Sequence, residues 1–236
     1  MGAMSKENQT LLIQIDGSGP VGKIITKANA QGEVKGFITN PHVHASTKED
    51  KLAVGYVVGT NGFIRITKDL KVKELFTSSA KLQTGEIGDD FTYYFMVSEQ
   101  IPSSVGLGVL VNDDNSVLAS GGFILQVLPG ATDEIIQTIE TNILSMKSIS
   151  SLIQSGFTPE EIVKEITKGN HEFMETMNLQ YICDCNQERF AKGIFSLGKS
   201  EIEDMIKQNE PIEITCEFCK KNYFFTVEDL KKFISL

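Results

Sequence analysis

The chain has 236 residues, of which 41% are hydrophobic and 22% charged, so it can form a hydrophobic core and is not a disordered chain. Its 22 basic and 31 acidic residues give a formal net charge of −9, which argues against a general binder of nucleic acids or anionic membranes. No apolar run reaches the roughly 20 residues of a membrane span, and no signal peptide is visible. The sequence therefore predicts a cytoplasmic protein with one medium domain and a smaller one.

The first 129 residues are predicted to be rich in β structure. Asn61-Gly62 and residues 112–115 are typical of hairpin turns between strands. A helix is predicted over residues 89–100, and it should end before Pro102. The runs predicted to form strands are residues 11–16, 21–28, 33–40, 56–59, 63–67, 106–111 and 117–128.

Beyond Pro129-Gly130 the sequence changes to helical patterns. Thr132 is placed to cap a helix with an apolar stripe, and a short segment follows it. Thr158-Pro159-Glu160-Glu161 combines a capping Thr, a Pro in the first turn and a Glu at the third position, so it predicts a helix start. That helix should end at Gly169. Further helices are predicted over residues 187–197, over 200–207 with a cap at Ser200, and from Val227 onward.

These patterns predict an α+β protein in three parts. Residues 1–129 form a β-rich core domain with packed helices, residues 130–180 a helical linker, and residues 181–236 a small cysteine-containing domain. The last part has only a modest set of core residues. A domain of this size is expected to need a cross-link, such as a bound metal ion or a disulfide, in addition to hydrophobic burial.

Two weaker motifs have ordinary structural interpretations. The run Gly17–Gly22 matches the dinucleotide pattern G-x-G-x-x-G, but the β-branched residues after it predict a strand where a phosphate site requires a helix. We interpret it as a tight hairpin turn. His42 and His44 have no third ligand nearby in the sequence and are interpreted as loop residues. No serine lies in a nucleophile elbow and no histidine pairs clearly with a nucleophile, so the chain is predicted not to be an enzyme.

The cysteines give the strongest signal. All four lie in the last quarter of the chain, as Cys183-Asp184-Cys185 and Cys216-Glu217-Phe218-Cys219. Alternate residues of an extended stretch point to one side, so Cys183 and Cys185 can face one ion, and a turn at Glu217-Phe218 brings the other pair together. Four thiolates at about 2.3 Å from a tetrahedral Zn²⁺ make a closed structural site. The spacing therefore predicts one zinc ion per chain, bound by Cys183, Cys185, Cys216 and Cys219.

The same spacing leaves two roles open. The zinc could be permanently structural, in a module that binds other proteins. Alternatively, an oxidant could form disulfides between Cys183 and Cys185 and between Cys216 and Cys219. Zinc would then be released, and the domain would lose the metal cross-link that stabilises it. A disulfide between residues i and i+2 is strained and readily reduced, which favours a reversible bond.

The chain as a whole resembles the redox-regulated 33-kDa heat-shock chaperone family. The resemblance rests first on the Cys-x-Cys and Cys-x-x-Cys pairs and on residues 216–225 that contain the second of them. Similar segments occur in the same order through the rest of the chain, at residues 17–22, 28–36, 40–41, 94–102 and 121–129. Family members usually begin with an additional strand and helix, so the sequence is expected to be shortened at its N-terminus.

The resemblance implies a cytoplasmic, ATP-independent holdase that binds unfolding proteins and prevents their aggregation under oxidative stress. When reduced, it would hold zinc through the four cysteines and be largely inactive. Oxidation would form the Cys183–Cys185 and Cys216–Cys219 disulfides, release zinc, unfold the C-terminal domain and loosen the linker. The active form would tend to be a homodimer, with no nucleic acid or membrane as partner.

Overall fold

The computed structural model describes residues 1–6, 8–45 and 52–234, and it confirms the predicted α+β class. A short 3-10 turn covers Gly2–Met4, and one helix continues into a π-helical turn at Phe95–Glu99. The strands are β1 (Thr10–Asp16), β2 (Lys23–Asn29), β3 (Glu33–Ile38), β4 (Phe63–Asp69), β5 (Phe76–Lys81), β6 (Ser103–Val111), β7 (Val117–Gln126), β8 (Gln180–Tyr181), β9 (Ile212–Thr215) and β10 (Asn222–Phe225). The helices are α1 (Val54–Val58), α2 (Ile87–Tyr94), α3 (Asp133–Ser145), α4 (Ile149–Gln154), α5 (Pro159–Thr167), α6 (Gln187–Phe195), α7 (Lys199–Gln208) and α8 (Val227–Ile234).

The main sheet has the strand order β5-β4-β1-β2-β3-β8. Strands β1 to β5 pair antiparallel with their neighbours. The short strand β8 instead joins β3 in parallel, with Glu33 opposite Gln180 and Val34 opposite Tyr181. Because β8 immediately precedes the first cysteine pair, this pairing places the cysteine region beside the core sheet.

The main core lies on one face of this sheet. Ile64 and Ile66 alternate along β4 toward that face and are completely buried, and Ile15 on β1 joins them. Tyr94 and Phe95, where α2 passes into its π-helical turn, cover the same cluster. Burial of these large side chains ties helix and sheet together, because each contributes roughly 1.5–3 kcal/mol when removed from water.

A second layer joins the β6–β7 ribbon to helices α3, α4 and α5. Glycines at positions 108 and 121 let α4 approach the ribbon closely, because a Cβ at Gly108 would collide with Ser150 and one at Gly121 with Ile153. A separate apolar cluster lies between the helices and the ribbon. Its buried members are Ile149, Leu152, Ile162 and Ile166, with Phe123 of β7 packed against them.

Most of the predicted elements are confirmed. The confirmed strands are residues 11–16 (β1), 21–28 (β2), 33–40 (β3), 63–67 (β4), 106–111 (β6) and 117–128 (β7), and residues 89–100 form α2 with its π-helical turn. The capping box at Thr158 is present, since its hydroxyl accepts from Glu161 N and the Glu161 carboxylate accepts from Thr158 N. The helix predicted over residues 200–207 is present as α7, but it begins at Lys199 after Gly198 without a side-chain cap, so the predicted cap at Ser200 is wrong.

The strand predicted for residues 56–59 is also wrong, because this segment forms the helix α1. A short apolar run is compatible with either structure by periodicity alone. Tertiary contacts favour the helix here. The Val57 carbonyl accepts a hydrogen bond from Val21 N at 3.2 Å, and the Val58 carbonyl accepts one from Gly19 N at 2.9 Å. The run Gly17–Gly22 therefore joins β1 to β2 as a turn packed on α1, with no helix following it.

A partly buried polar network supports the end of α2. The Tyr94 hydroxyl donates to the Glu99 carboxylate at 2.5 Å, and Lys68 Nζ donates to both carboxylate oxygens at 2.6 and 2.8 Å. Desolvation raises the pKa of Glu99, but the hydrogen bonds from Lys68 and Tyr94 outweigh it and hold the pKa below its ordinary value. Glu99 therefore stabilises the fold above the ordinary carboxyl pKa, and this contribution is lost as the pH falls through the lowered value.

We expect Glu99→Gln to lower the free energy of unfolding by about 1–3 kcal/mol at pH 7, because two donors lose a charged acceptor. At a pH below the folded-state pKa of Glu99, the variant and the parent should differ much less. Urea denaturation followed by circular dichroism, repeated in steps from pH 7 through the acid range, measures how this difference falls as Glu99 is protonated. The exposed Glu74→Gln serves as the control, and a loss that stays constant over the whole range would contradict the network's role.

Candidate metal centre

The structure brings the four cysteines together. Their sulfur atoms all lie within 4.8 Å of one another. The Sγ atoms of Cys183 and Cys216 are 3.7 Å apart and those of Cys185 and Cys219 are 3.3 Å apart, and all four are free thiols. A tetrahedron with metal–sulfur bonds of about 2.3 Å has sulfur–sulfur edges of about 3.8 Å. The four side chains are thus close enough to bind one metal ion.

Two loops supply these ligands. Cys183 and Cys185 lie in the extended segment between β8 and α6. Cys216 and Cys219 lie in the turn between β9 and β10, where Lys220 N donates to Cys216 O at 2.7 Å. Lys220 adopts a left-handed conformation, which turns the chain back into β10. The predicted turn between the second pair of cysteines is confirmed.

The cysteine cluster is part of a small hydrophobic core of its own. Cys216 is buried and packs with this core, whereas Cys219 is exposed. Cys183 and Cys185 are partly buried and contact the same cluster. The other buried members are Ile194, Ile202, Tyr223, Phe225 and Leu230. The thiols are therefore in a position to influence the packing of the entire C-terminal unit.

The four thiols are electrostatically unequal. The Tyr223 hydroxyl donates to Cys185 Sγ at 3.1 Å, and this hydrogen bond is the main reason why the pKa of Cys185 is lowered to about 7. Desolvation, by contrast, raises the pKa of Cys183. Cys185 is therefore the thiol of this pair that most readily supplies the thiolate needed to bind a metal or to react with an oxidant.

The first cysteine loop contacts the core sheet through Asp184. Its carboxylate forms an ion pair with Lys35 on β3 and a second one with Arg189 on α6, at 2.9 Å. Desolvation opposes the ionisation of Asp184, but the hydrogen bond and charge of Lys35, with the charge of Arg189, lower its pKa. The side chain of Lys35 is only 6% exposed. The carboxylate between Cys183 and Cys185 therefore neutralises a buried ammonium group of the core sheet.

The second cysteine loop contacts the same strand through Phe218. Its ring packs edge-to-face against Phe37 of β3, with ring centroids 5.1 Å apart, and Lys35 Nζ lies 4.7 Å from its centroid. The Tyr181 hydroxyl lies 3.0 Å from Gly36 O and 2.9 Å from Phe218 O, so its single O–H is shared between these two carbonyl oxygens. Sequence reasoning missed Lys35, Asp184 and Phe218 as a group, because no sequence pattern connects β3 with residues about 150 and more positions away.

The other candidate residues do not join this centre. His42 and His44 are exposed in the segment that follows β3. His171 lies after α5, where its ring contacts Phe173 and its Nδ1 is 2.8 Å from Thr167 Oγ1. Among the residues that the structure describes, the four cysteines are the one cluster of His, Cys, Asp or Glu side chains with metal-binding spacing. Within those same ranges no helix is long and apolar enough to cross a membrane.

Fold and site together define a class of protein: a β-rich body with a helical middle segment and a small C-terminal unit built around a tetracysteine centre. Comparison with known proteins gives the family. The Hsp33 protein family matches residues 1–226 of the chain. The chain therefore belongs to the Hsp33 family of chaperones.

The individual relatives agree with this assignment. The 33 kDa chaperonins of Bacillus pumilus and Bacillus subtilis are each 49% identical to the chain, over 233 and 232 residues that cover 98% of it and 80% of each relative. The crystal structure of the 33 kDa chaperonin from Thermotoga maritima superposes with a TM-score of 0.87 at 34% identity. The match covers 99% of this chain and 80% of the Thermotoga maritima chain.

Proposed function

We propose that the chain is a redox-regulated, ATP-independent holdase whose tetracysteine centre is both its zinc site and its switch. The observation that carries this proposal is the cluster of four free thiols within 4.8 Å, set into the core of a small unit in an Hsp33-family chaperone. The three parts predicted from the sequence, residues 1–129, 130–180 and 181–236, are proposed as its core domain, linker and switch domain.

In the reduced state Cys183, Cys185, Cys216 and Cys219 would hold one zinc ion. The residues fit this metal: all four donors are sulfurs, their spacing matches a tetrahedron, and Tyr223 stabilises one of them as a thiolate. When bound, zinc supplies a closed structural cross-link between the two loops, worth about 10–16 kcal/mol in small zinc-binding peptides. The chain's own core then packs around that cross-link.

In the oxidised state the same sulfurs would form two disulfides. Each bond requires one hydrogen peroxide: two thiolates lose two electrons, the O–O bond breaks, one S–S bond forms, and the two hydroxide ions released take up two protons from the buffer to give water. We propose the pairs Cys183–Cys185 and Cys216–Cys219. Sulfurs held in disulfides no longer offer thiolate ligands, so zinc is released and the unit loses its cross-link.

Unfolding of this unit would expose apolar surface for unfolding client proteins. Several large apolar residues are already exposed in the middle segment, among them Leu144, Met174 and Leu179. An apolar groove of about 700 Å³ runs between α3 and the end of β7, lined in part by Leu128 and Ile135. Exposed apolar patches of this kind mark interaction sites. We propose that the active form works in the cytoplasm, as a homodimer, without a nucleic acid or membrane partner.

The test is oxidation of the reduced, zinc-loaded protein with peroxide at mild heat. We expect zinc to be transferred to a chromogenic chelator, and the oxidised protein to suppress the aggregation of a heat-denatured reporter enzyme, measured by light scattering. Protein kept in reductant is the control and should suppress little aggregation. Zinc release without any gain in suppression would contradict the proposal.

A second candidate is a protein-binding module with a permanently structural metal. Burial of Cys216 within the core of its unit favours this candidate, because buried structural cysteines are often inert. It requires partner binding to be equal in reductant and in oxidant. The same light-scattering assay, carried out in both conditions, therefore separates the two candidates.

A further inference from the structure

Both cysteine loops direct the residues between their cysteines to one strand of the core sheet. Asp184, between Cys183 and Cys185, reaches Lys35 of β3, and Phe218, between Cys216 and Cys219, reaches Lys35 and Phe37 of the same strand. The two loops are remote in sequence, and the cysteine cluster together with the hydrophobic core around it holds them side by side against β3.

Lys35 is the residue that both loops share. Its ammonium group pairs with a carboxylate from one loop and lies over an aromatic ring from the other. A buried ammonium group is tolerated when such partners replace its water. Because the partners lie outside the core sheet, Lys35 can return to solvent when they leave. Its burial is therefore favourable only while both loops are in place.

The same interface has further contacts, among them Lys220 Nζ of the second loop at 5.9 Å from the centroid of the Phe37 ring. Strand β8 contributes main-chain hydrogen bonds from Gln180 N to Gly32 O and from Ile182 N to Val34 O, each 3.0 Å long. The Tyr181 hydroxyl adds one O–H that is shared between Gly36 O and Phe218 O of the second loop. A two-residue strand pairing is short even for a sheet edge. The contacts of Lys35 and Phe37 with the loops are thus needed to keep the edge of β3 covered.

We propose that β3 is the docking surface for the assembled metal centre, and that Lys35 is the positioning residue that couples docking to metal retention. This inference rests on the proposed metal centre but not on client binding. Coupling is reciprocal: if the bound metal favours docking, docking must raise the affinity for the metal by the same factor. Loss of metal then uncovers the outer edge of β3, a strand edge able to pair with another extended chain.

The test uses the full-length, zinc-loaded protein and the variant Lys35→Met, which keeps a long apolar side chain but removes the charge. We expect the variant still to bind one zinc ion per chain but with about tenfold lower affinity, measured by equilibrium competition with a chelator, within the usual range of coupling between sites. Hydrogen exchange at Gln180 and Ile182, whose N–H groups donate to the edge of β3, should be faster than in the parent while zinc is still bound. Chelation of the parent should produce the same loss of protection.

Lys23→Met is the matched control, because Lys23 is an exposed lysine on β2 whose nearest carboxylate oxygen, on Asp16, is 3.9 Å away. It should behave like the parent. Phe37→Leu removes the ring contact with Phe218 and provides a second probe in case Lys35→Met folds poorly. Parent-like zinc affinity and exchange in a folded Lys35→Met or Phe37→Leu protein would overturn the coupling alone. A parent protein that binds no zinc would overturn the metal centre and this inference together.

Discussion

Replacing Cys216 with Ser is expected to abolish stoichiometric zinc binding and to unfold the C-terminal unit, while the main sheet stays folded. Cys216 is buried at the junction of the metal cluster and the hydrophobic core around Ile202 and Leu230. Its loss removes one thiolate and leaves the other three unable to complete a closed tetrahedral site. The expected cost is a large part of the roughly 10–16 kcal/mol that zinc contributes in small zinc-binding domains.

Hydrogen exchange with mass spectrometry measures this effect region by region. In Cys216→Ser, peptides from α6, α7 and the β9–β10 ribbon should exchange at the rate of an unfolded chain. Peptides from β1 and β4 should remain protected, since Ile15, Ile64 and Ile66 belong to a separate core. The parent protein treated with a chelator should match the variant, and added zinc should restore only the parent. Full protection of α6 and α7 in the variant would show that the unit folds without the metal.

The separation of the two cores also explains what the sequence could predict. Each pair of metal ligands is local, so the spacing of Cys183 with Cys185 and of Cys216 with Cys219 was sufficient to propose one site. The capping box at Thr158 and the turn at Gly17–Gly22 were predictable for the same reason, because their chemistry is contained within a few residues.

The features that sequence reasoning missed depend on long-range contacts. Residues 56–59 form part of a helix end because neighbouring glycines bring the Gly17–Gly22 turn against α1. Strand β5, which was not predicted, is polar along most of its length and pairs only with β4. The interface of Lys35 with Asp184 joins residues 149 positions apart. No local pattern encodes such a pair, since each partner is an ordinary charged residue in its own sequence context.

Complete oxidation is expected to give the local disulfides, although the folded structure does not favour them by distance. The sulfur of Cys185 is 3.3 Å from Cys219, and the sulfur of Cys183 is 3.7 Å from Cys216, so each has a close neighbour in the other loop. Once the metal is lost and the unit unfolds, the entropic cost of loop closure decides which cysteines pair. Closing a loop of about 33 residues costs about 2 kcal/mol more than closing one of three, a preference of roughly 30-fold.

This preference applies first to Cys216 and Cys219, because a two-residue spacer closes with less strain than the single residue between Cys183 and Cys185. Once the first bond has formed, the other two thiols have only each other as partners. Any bond between Cys185 and Cys219 that forms in the folded state can rearrange by thiol–disulfide exchange while free thiolates remain. The final population should therefore consist mainly of local pairs.

Non-reducing digestion and mass spectrometry during a peroxide time course measures these populations. We expect the Cys216–Cys219 peptide to exceed each single link between the loops by roughly 30-fold once zinc release is complete. In Cys183→Ser the same bond should still form, with Cys185 recovered as a free thiol after alkylation. If links between the loops dominate at the end of the reaction, the disulfides form within the folded centre. Oxidation would then lock the two loops together instead of releasing them.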